Sequence, residues 1–498
     1  MSDPRQFDLI VLGGGPAGST LSTLVALQGW RVLLLEKERF PRHQLGESLL
    51  PSTIHGICPL LGLKEEIHNA GFVRKRGGSF RWGTAPEPWT FTFSKFPNSP
   101  TGYAYQVERA KFDKILLDNA QRKGVDVREE HTVLDAIEEN GRVVGVRYLD
   151  SNGVEHSARG RFMAETEGHR GQLFSRVGRR EYSEFFQNVA LYTYFLDGKR
   201  LPPPNSGNIL SAAFSQGWFW YIPLSDRLTS VGAVVSREAA AKIKDGSEKA
   251  FFEYVAQCPI VKDYLGSATR VAEGMYGEFR IRKDYSYCNT KFWMPGLFLA
   301  GDAACFIDPV FSSGVHLATY SALLGARCIN TLLKGAPGGP GEETCFQEFE
   351  FRYRREFGVF YQFLVMFYDM HREADSYFWE ARKILHSTGA TRDAFVRLVA
   401  GVSSNLEPIF SGDFFRDGTE GRFELMLANE VEGMDIPKGD FEKTELLDRF
   451  MGFKSEVAHL LVLAQLGKRR PQDVSLRAGG LVPSEDGLHW SQPTAEPA

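Results

Sequence analysis

Six consecutive residues, Gly13-Gly14-Gly15-Pro16-Ala17-Gly18, constrain this chain more tightly than any other stretch. A short apolar run, Phe7 to Leu12, precedes them, and a segment of helical character follows from Pro16 to Gly29. A second apolar run from Arg31 to Leu35 closes at Glu36. Short continuous apolar runs are the pattern of parallel strands covered on both faces. In the spacing Gly13-x-Gly15-x-x-Gly18, the first glycine permits a tight turn and the second lets backbone approach a pyrophosphate. The third permits close helix–strand packing. The helix amino terminus around Ala17 would turn N–H groups and the positive end of its dipole toward phosphates. Glu36 falls where a carboxylate can accept ribose hydroxyls. A bare glycine pattern is a weak signal, but strand, helix and acid all fall in register here. The expectation is an α/β, Rossmann-like dinucleotide-binding unit, with FAD and NAD not yet distinguished.

Composition narrows the field. The 498 residues are 43% hydrophobic and 24% charged, which describes a globular chain with ample core. A net charge of −4 with no block of like charge gives no footprint for nucleic acid. No apolar run reaches membrane-spanning length, and Met1-Ser-Asp-Pro-Arg-Gln lacks the apolar core of a signal peptide. The six cysteines are scattered without a CxxC pair, so they read as reduced thiols in a cytoplasmic protein, with little support for a metal site. The 38 Phe, 17 Tyr and 8 Trp fit a flat aromatic cofactor, although core packing explains them as well.

The pattern places the binding unit and its strand-rich inserts, about 78–107 and 189–280, within residues 1–335 as one discontinuous core. Helices are expected over Arg109 to Lys123, near Lys249 to Cys258, and over Gly314 to Leu333. Pro337-Gly-Gly-Pro-Gly341 is a breaker. Beyond it lies a helical region over 342–470, opened by an aromatic-rich helix from Cys345 to Met370, then an extended tail over 471–498.

Three further segments resolve the cofactor. Arg42 precedes Gly46-Glu47-Ser48, Arg109 lies in Val107-Glu-Arg-Ala-Lys-Phe-Asp113, and Gly301-Asp302 follows a late apolar strand. Together they resemble the p-hydroxybenzoate-hydroxylase-like flavoproteins. The resemblance implies an FAD-binding Rossmann-like fold with a strand-rich substrate-side insert and a helical C-terminal region. It also implies cofactor contacts from Arg42, Glu47, Arg109 and Asp302.

Members of that superfamily hydroxylate, reduce or halogenate. Gly217-Trp218-Phe219-Trp220-Tyr221-Ile222-Pro223 matches the WxWxIP pattern of flavin-dependent halogenases. An aromatic strand with Trp218 and Trp220 on one face is the plainer reading of the same residues. The resemblance makes the two indoles a wall between flavin and organic substrate. Asp308-Pro-Val-Phe-Ser-Ser-Gly-Val-His316 stands before a helical pattern, where backbone N–H groups suit an anion and a Ser N-cap is the alternative. By resemblance, the amides of Ser313 and Gly314 hold chloride. Lys75, in Arg74-Lys-Arg-Gly-Gly, matches the family's active lysine, against the ordinary expectation of a solvated surface charge. Hypochlorous acid formed at the flavin would reach Lys75, which either hydrogen-bonds it or forms a chloramine.

Phe311 stands where tryptophan halogenases of this family carry a glutamate two residues before the Ser-Gly pair, which favours a phenol over an indole. Longer matches, such as His43-Gln-Leu-Gly-Glu-Ser-Leu-Leu-Pro51 and Gly314-Val-His-Leu-Ala-Thr-Tyr320, resemble halogenases of glycopeptide-antibiotic and chondrochloren biosynthesis. That implies chlorination of a tyrosyl or β-hydroxytyrosyl ring, tethered to a peptidyl carrier protein in nonribosomal-peptide biosynthesis. The cofactors implied are FAD (as FADH2), chloride and O2, with a separate flavin reductase as partner. One departure is Glu165-Thr166-Glu167-Gly168 in place of the family's usual Asp-Ala-Ser-Gly, with Glu167 close to where flavin approaches. An aromatic monooxygenase inserting oxygen directly, and a non-catalytic flavoprotein scaffold, are the competing readings.

Overall fold

The computed structural model describes residues 6–81, 88–93, 102–372, 475–477 and 479–493. The opening segment forms as its pattern predicts. Strand Phe7–Leu12 leads through the glycine turn into helix Pro16–Ala26 and on to strand Val32–Leu35. Both strands are almost wholly buried, which explains why they read as continuous apolar runs and not as alternation. They are central in a sheet ordered Trp293–Met294, Leu297–Leu299, Glu155–Glu165, Phe7–Leu12, Val32–Leu35, Asp126–Arg128. All pairings are parallel except that of the short Trp293–Met294 edge. Pairing over residues 125–165 is mixed. Thr132–Glu139 and Arg142–Leu149 pair antiparallel with one another, and the latter with the first half of Glu155–Glu165. The second half of that strand joins the parallel sheet.

The two expected inserts fold as one unit. Strands Gly77–Arg81 and Trp89–Thr92 join the strands of the second insert in one sheet. Its order is Cys305–Phe306, Arg280–Asn289, Arg180–Leu196, Leu228–Val235, Gly217–Pro223, Ile209–Phe214, Gly77–Arg81, Trp89–Thr92. The joint is a parallel pairing of Gly78–Arg81 with Ile209–Ala212, which periodicity alone does not reveal. The strand expected from Val189 begins earlier, at Arg180, with a register shift between Tyr182 and Gln187.

Helices form at Arg109–Arg122, Ser247–Ala256, Gly314–Lys334 and Glu342–Arg372. The last belongs to the region expected over 342–470, of which residues beyond 372 lie outside the described ones. Its aromatic residues Phe346, Phe349, Tyr353 and Phe360 are buried, so packing accounts for them. Within the stretch expected as an extended tail, Val482–Pro483 and Trp490–Ser491 pair as a small hairpin. Arg327 Nε donates to Gly487 O at 2.7 Å and Trp490 stacks beneath Arg327 and Arg352, docking the hairpin on the two long helices. The six cysteines are all free thiols. Among the described residues, no helix is long and apolar enough to cross a membrane.

Candidate active site

The carboxyl ends of the parallel strands open on a cavity of about 740 Å³, which the second sheet roofs. Gly13, Gly15 and Ala17 form one part of its wall, with Glu36, Arg42, Glu47 and Arg109 beside them. Asp302, Gly314, Trp218 and Trp220 form another part. Residues from across the sequence thus converge on one space at the crevice where α/β sheets bind ligands.

The turn fits a dinucleotide. Gly13 has φ +102, and a Cβ there would lie 2.9 Å from the backbone of Glu167. At Gly18 a Cβ would meet Gly13 O at 1.9 Å, so the helix can rest on the turn only with glycine present. Gly15 caps the helix without a side-chain hydrogen bond, which leaves first-turn N–H groups for a phosphate. The Arg42 guanidinium stands 3.6 Å from where a Gly15 Cβ would be, bringing a cation to the same place. This cradle of open amides, close-packed glycines and an arginine is what a pyrophosphate needs.

Several predicted residues carry internal duties too. Glu36 accepts from Gly14 N at 2.6 Å and Glu38 N at 2.8 Å, so its carboxylate braces the turn while keeping lone pairs for a ribose. Arg109 is held by Asp113 at 2.7 and 2.9 Å and donates to Leu45 O at 2.6 Å. It shapes the loop carrying Glu47 as well as bordering the cavity. Asp113, which also receives Arg42 at 3.1 Å, was not singled out in the sequence. Its signal was available in the i,i+4 spacing of Arg109 and Asp113.

On the cavity wall, Glu47 is buried and accepts from Tyr194 OH at 2.8 Å, and that hydroxyl lies 2.9 Å from His43 Nε2. Burial pushes the Glu47 carboxyl up to about 7, and burial with three nearby arginines brings His43 down to about 4. Tyr194 and His43 escaped the sequence reading because their roles depend on contacts between distant segments. Since the Tyr194 hydroxyl favours the ionised carboxylate, Tyr194→Phe is expected to move the Glu47 titration midpoint further above 7. Infrared titration of the carboxyl band reads this directly; an unmoved midpoint would leave burial as the sole cause.

Trp218 and Trp220 are buried side by side, ring centroids 6.3 Å apart, and Trp220 Nε1 donates to Ser230 Oγ at 3.1 Å. The residue paired with Trp220 on the next strand is Gly232, where a Cβ would lie 2.2 Å from the indole. Gly232 therefore lets the indole lie flat across the sheet.

Ser313 and Gly314 start the 21-residue helix Gly314–Lys334. Gly314 borders the cavity, whereas Ser313 is fully buried and its Oγ has no hydrogen-bond partner among the described residues. Phe311, 4% exposed, packs against Phe80 at 6.0 Å, so that position is apolar and enclosed.

Lys75 is not a surface lysine: it is 2% exposed. It ends strand Val73–Lys75, and its Nζ donates to Leu49 O at 3.0 Å and lies 5.4 Å from the Phe93 ring. Burial lowers its amine to about 7. The following glycines have a steric cause, since a Cβ at Gly77 would lie 1.8 Å from Phe91 O. Lys75 does not border the cavity that gathers the cofactor residues, and Ser313 does not either.

Two carboxylates mark the departure at 165–167. Glu165 is fully buried, accepts from Leu173 N at 3.2 Å, and is pushed up to about 8 by burial and by Glu167. Glu167 borders the cavity and pairs with Lys37 at 3.4 Å.

Fold and cavity define a dinucleotide-binding protein, and comparison with known proteins makes it an FAD-dependent oxidoreductase. The family model described as tryptophan halogenase matches residues 8–101 and 95–418. A tryptophan 2-halogenase of Chondromyces crocatus is 34% identical over 81% of this chain and 77% of its own length. The flavin-dependent halogenase gsfI of Penicillium aethiopicum is 31% identical over 67% of this chain, which spans 66% of that relative. The solved myxobacterial chondrochloren halogenase CndH is 57% identical, with TM-score 0.75 over 98% of this chain and all of that one. CmlS, a flavin-dependent halogenase, is 29% identical, with TM-score 0.70 over 98% of this chain and 84% of that one. The chain belongs to the flavin-dependent halogenases. It is an oxidoreductase using reduced FAD, chloride and O2, with the reduced flavin supplied by a separate flavin reductase.

Proposed function

We propose that this enzyme chlorinates a phenolic ring, tyrosyl or β-hydroxytyrosyl, presented on a peptidyl carrier protein. The observation that carries the phenolic reading is the apolar, enclosed Phe311, and the buried amine of Lys75 carries the chlorination route. When bound in reduced form, the flavin supplies with O2 the oxidising power that converts chloride to hypochlorous acid. The glycine turn, Arg42, Arg109, Glu36 and Asp302 hold and orient the dinucleotide, and the Trp218–Trp220 wall keeps an organic ring from it. The amides of Ser313 and Gly314 bind chloride at the helix start.

Lys75 then receives the chlorine. With its amine lowered to about 7, much of it is neutral near pH 7 and nucleophilic. The nitrogen lone pair takes chlorine from hypochlorous acid, hydroxide leaves with the amine proton as water, and a chloramine remains. The ring attacks that chlorine, and the ring proton returns to nitrogen. The enclosed Phe311 offers no carboxylate to a cationic indole intermediate, whereas a phenol delocalises charge through its own oxygen.

The names of the family model and of the Chondromyces relative favour a second reading, free tryptophan as substrate. Supplying reductase, NADH and chloride with either a tyrosyl-loaded carrier protein or free tryptophan, then reading product mass, separates the two. A mono- or dichlorinated tyrosyl product is expected. Chlorotryptophan alone would replace the phenol reading, and oxygen insertion independent of chloride would sink both.

A further inference from the structure

Ser52, His316 and Glu356 form a hydrogen-bonded chain outside the cavity wall. His316 Nδ1 lies 2.9 Å from Ser52 Oγ, and His316 Nε2 lies 2.8 Å from Glu356 Oε1. All three are buried, with exposures of 3%, 1% and 4% in that order. One nitrogen of the imidazole thus faces the Glu356 carboxyl and the other the Ser52 hydroxyl, so the ring bridges the two side chains. The order resembles a nucleophile–base–orienter triad. None of the three lines the cavity described above, so no substrate is assigned to Ser52.

The chain's placement is informative. His316 is two residues beyond Gly314, in the first turn of the helix whose start is read as the chloride site. Gly314, Val315 and Ala318 border the cavity, while His316 stacks on Tyr320 at 5.9 Å and packs against Phe360 at 5.8 Å, within the protein. Ser52 stands three residues beyond Leu49, whose carbonyl anchors the Lys75 amine. The intervening backbone is tied into a turn, with Thr53 N donating to Leu50 O at 3.1 Å. The Ser52–His316 bond is therefore a cross-link between the segment that anchors Lys75 and the helix that begins at the anion site.

We propose that Ser52, His316 and Glu356 act as positioning residues that keep these two segments in register, so that hypochlorous acid passes to Lys75 without escaping. This rests on the chlorination route proposed above. A buried histidine–carboxylate pair in an aromatic layer is a poor source of stability, since apolar residues of similar volume often do as well. What it adds is direction, because each hydrogen bond fixes distance and angle where aromatic packing tolerates sliding.

The test compares Ser52→Ala, which removes the hydroxyl, with Ser52→Thr, which keeps one, and adds His316→Gln, which keeps a donor and an acceptor. Full-length enzyme receives reduced FAD, O2 and chloride with taurine outside, and trapped N-chlorotaurine is measured per flavin oxidised. Ser52→Ala is expected to raise the escaped fraction at least threefold at an unchanged flavin-oxidation rate, with Ser52→Thr near wild type and His316→Gln between them. Thermal midpoints and FAD binding are read in parallel. Equal escape from wild type and Ser52→Ala overturns the proposal, as does a rise matched in Ser52→Thr. If wild type yields neither chlorinated product nor trapped oxidant, the chlorination route itself has failed.

Discussion

Replacing Lys75 by alanine is expected to abolish chlorination while FAD binding and NADH-driven flavin oxidation continue. The loss in kcat should be at least about 10²-fold, the scale seen when a group that stabilises or carries the reacting species is removed. The expectation follows from the placement of the amine, which is 2% exposed and held by Leu49 O. Lys75→Arg is the sharper variant. A guanidinium hydrogen-bonds but does not deprotonate, so it supports polarisation of hypochlorous acid and not chloramine formation. The route proposed here predicts that arginine fails almost as badly as alanine.

The same route fixes the sign of the pH dependence. Because burial depresses this amine from 10.5 to about 7, the neutral form grows as pH rises through 7. Product formed per flavin oxidised should therefore climb between about pH 6 and 8 in wild type and stay flat in Lys75→Arg. A profile that falls over this interval would assign Lys75 to hydrogen bonding as an ammonium. Persistent chlorination by Lys75→Ala would place the chemistry at another residue.

How far the sequence reveals this site depends on the range of the interactions involved. The glycine turn was legible because its causes are local: a φ of +102 at Gly13 and a helix seated against Gly13 O require glycine within six residues. Strand Phe7–Leu12 and helix Gly314–Lys334 were legible for the same reason, the one as a continuous apolar run and the other by its helical pattern. The joining of Gly77–Arg81 to Ile209–Phe214 was not, because a parallel pairing across 130 intervening residues leaves no local pattern. Lys75 shows the limit most clearly. Basic neighbours on both sides argue for solvent, yet the side chain is buried, because its strand pairs with Ala104–Gln106. Arg74 instead lies over Tyr103, its guanidinium 4.2 Å from the ring centroid. Only the family resemblance singles out the lysine, and only the coordinates show that it is buried.

Gly232 is the counterpart on the roof of the cavity, and Gly232→Ala is expected to damage the wall without touching its tryptophans. The added Cβ would sit 2.2, 2.5 and 2.6 Å from three atoms of the Trp220 indole, too close for any small adjustment. The indole must swing away, breaking the Trp220 Nε1–Ser230 Oγ bond and disturbing its packing on Trp218 and Tyr192. Overpacking of this kind costs about 1–3 kcal/mol, so the protein should remain folded with a lowered thermal midpoint. If the indoles serve as the proposed barrier, the functional loss should exceed the structural one. Chlorinated product per NADH is expected to fall at least about tenfold, the equivalent of 1.4 kcal/mol in the relevant barrier. Oxygen insertion into the ring should appear, where none is expected from wild type. Trp220→Phe, which relieves the crowding at Gly232, should raise the thermal midpoint again in the double variant but not restore the full barrier. A Gly232→Ala enzyme that loses stability yet keeps its product ratio would reduce Trp220 to an element of the core, and leave exclusion of the ring to Trp218 alone.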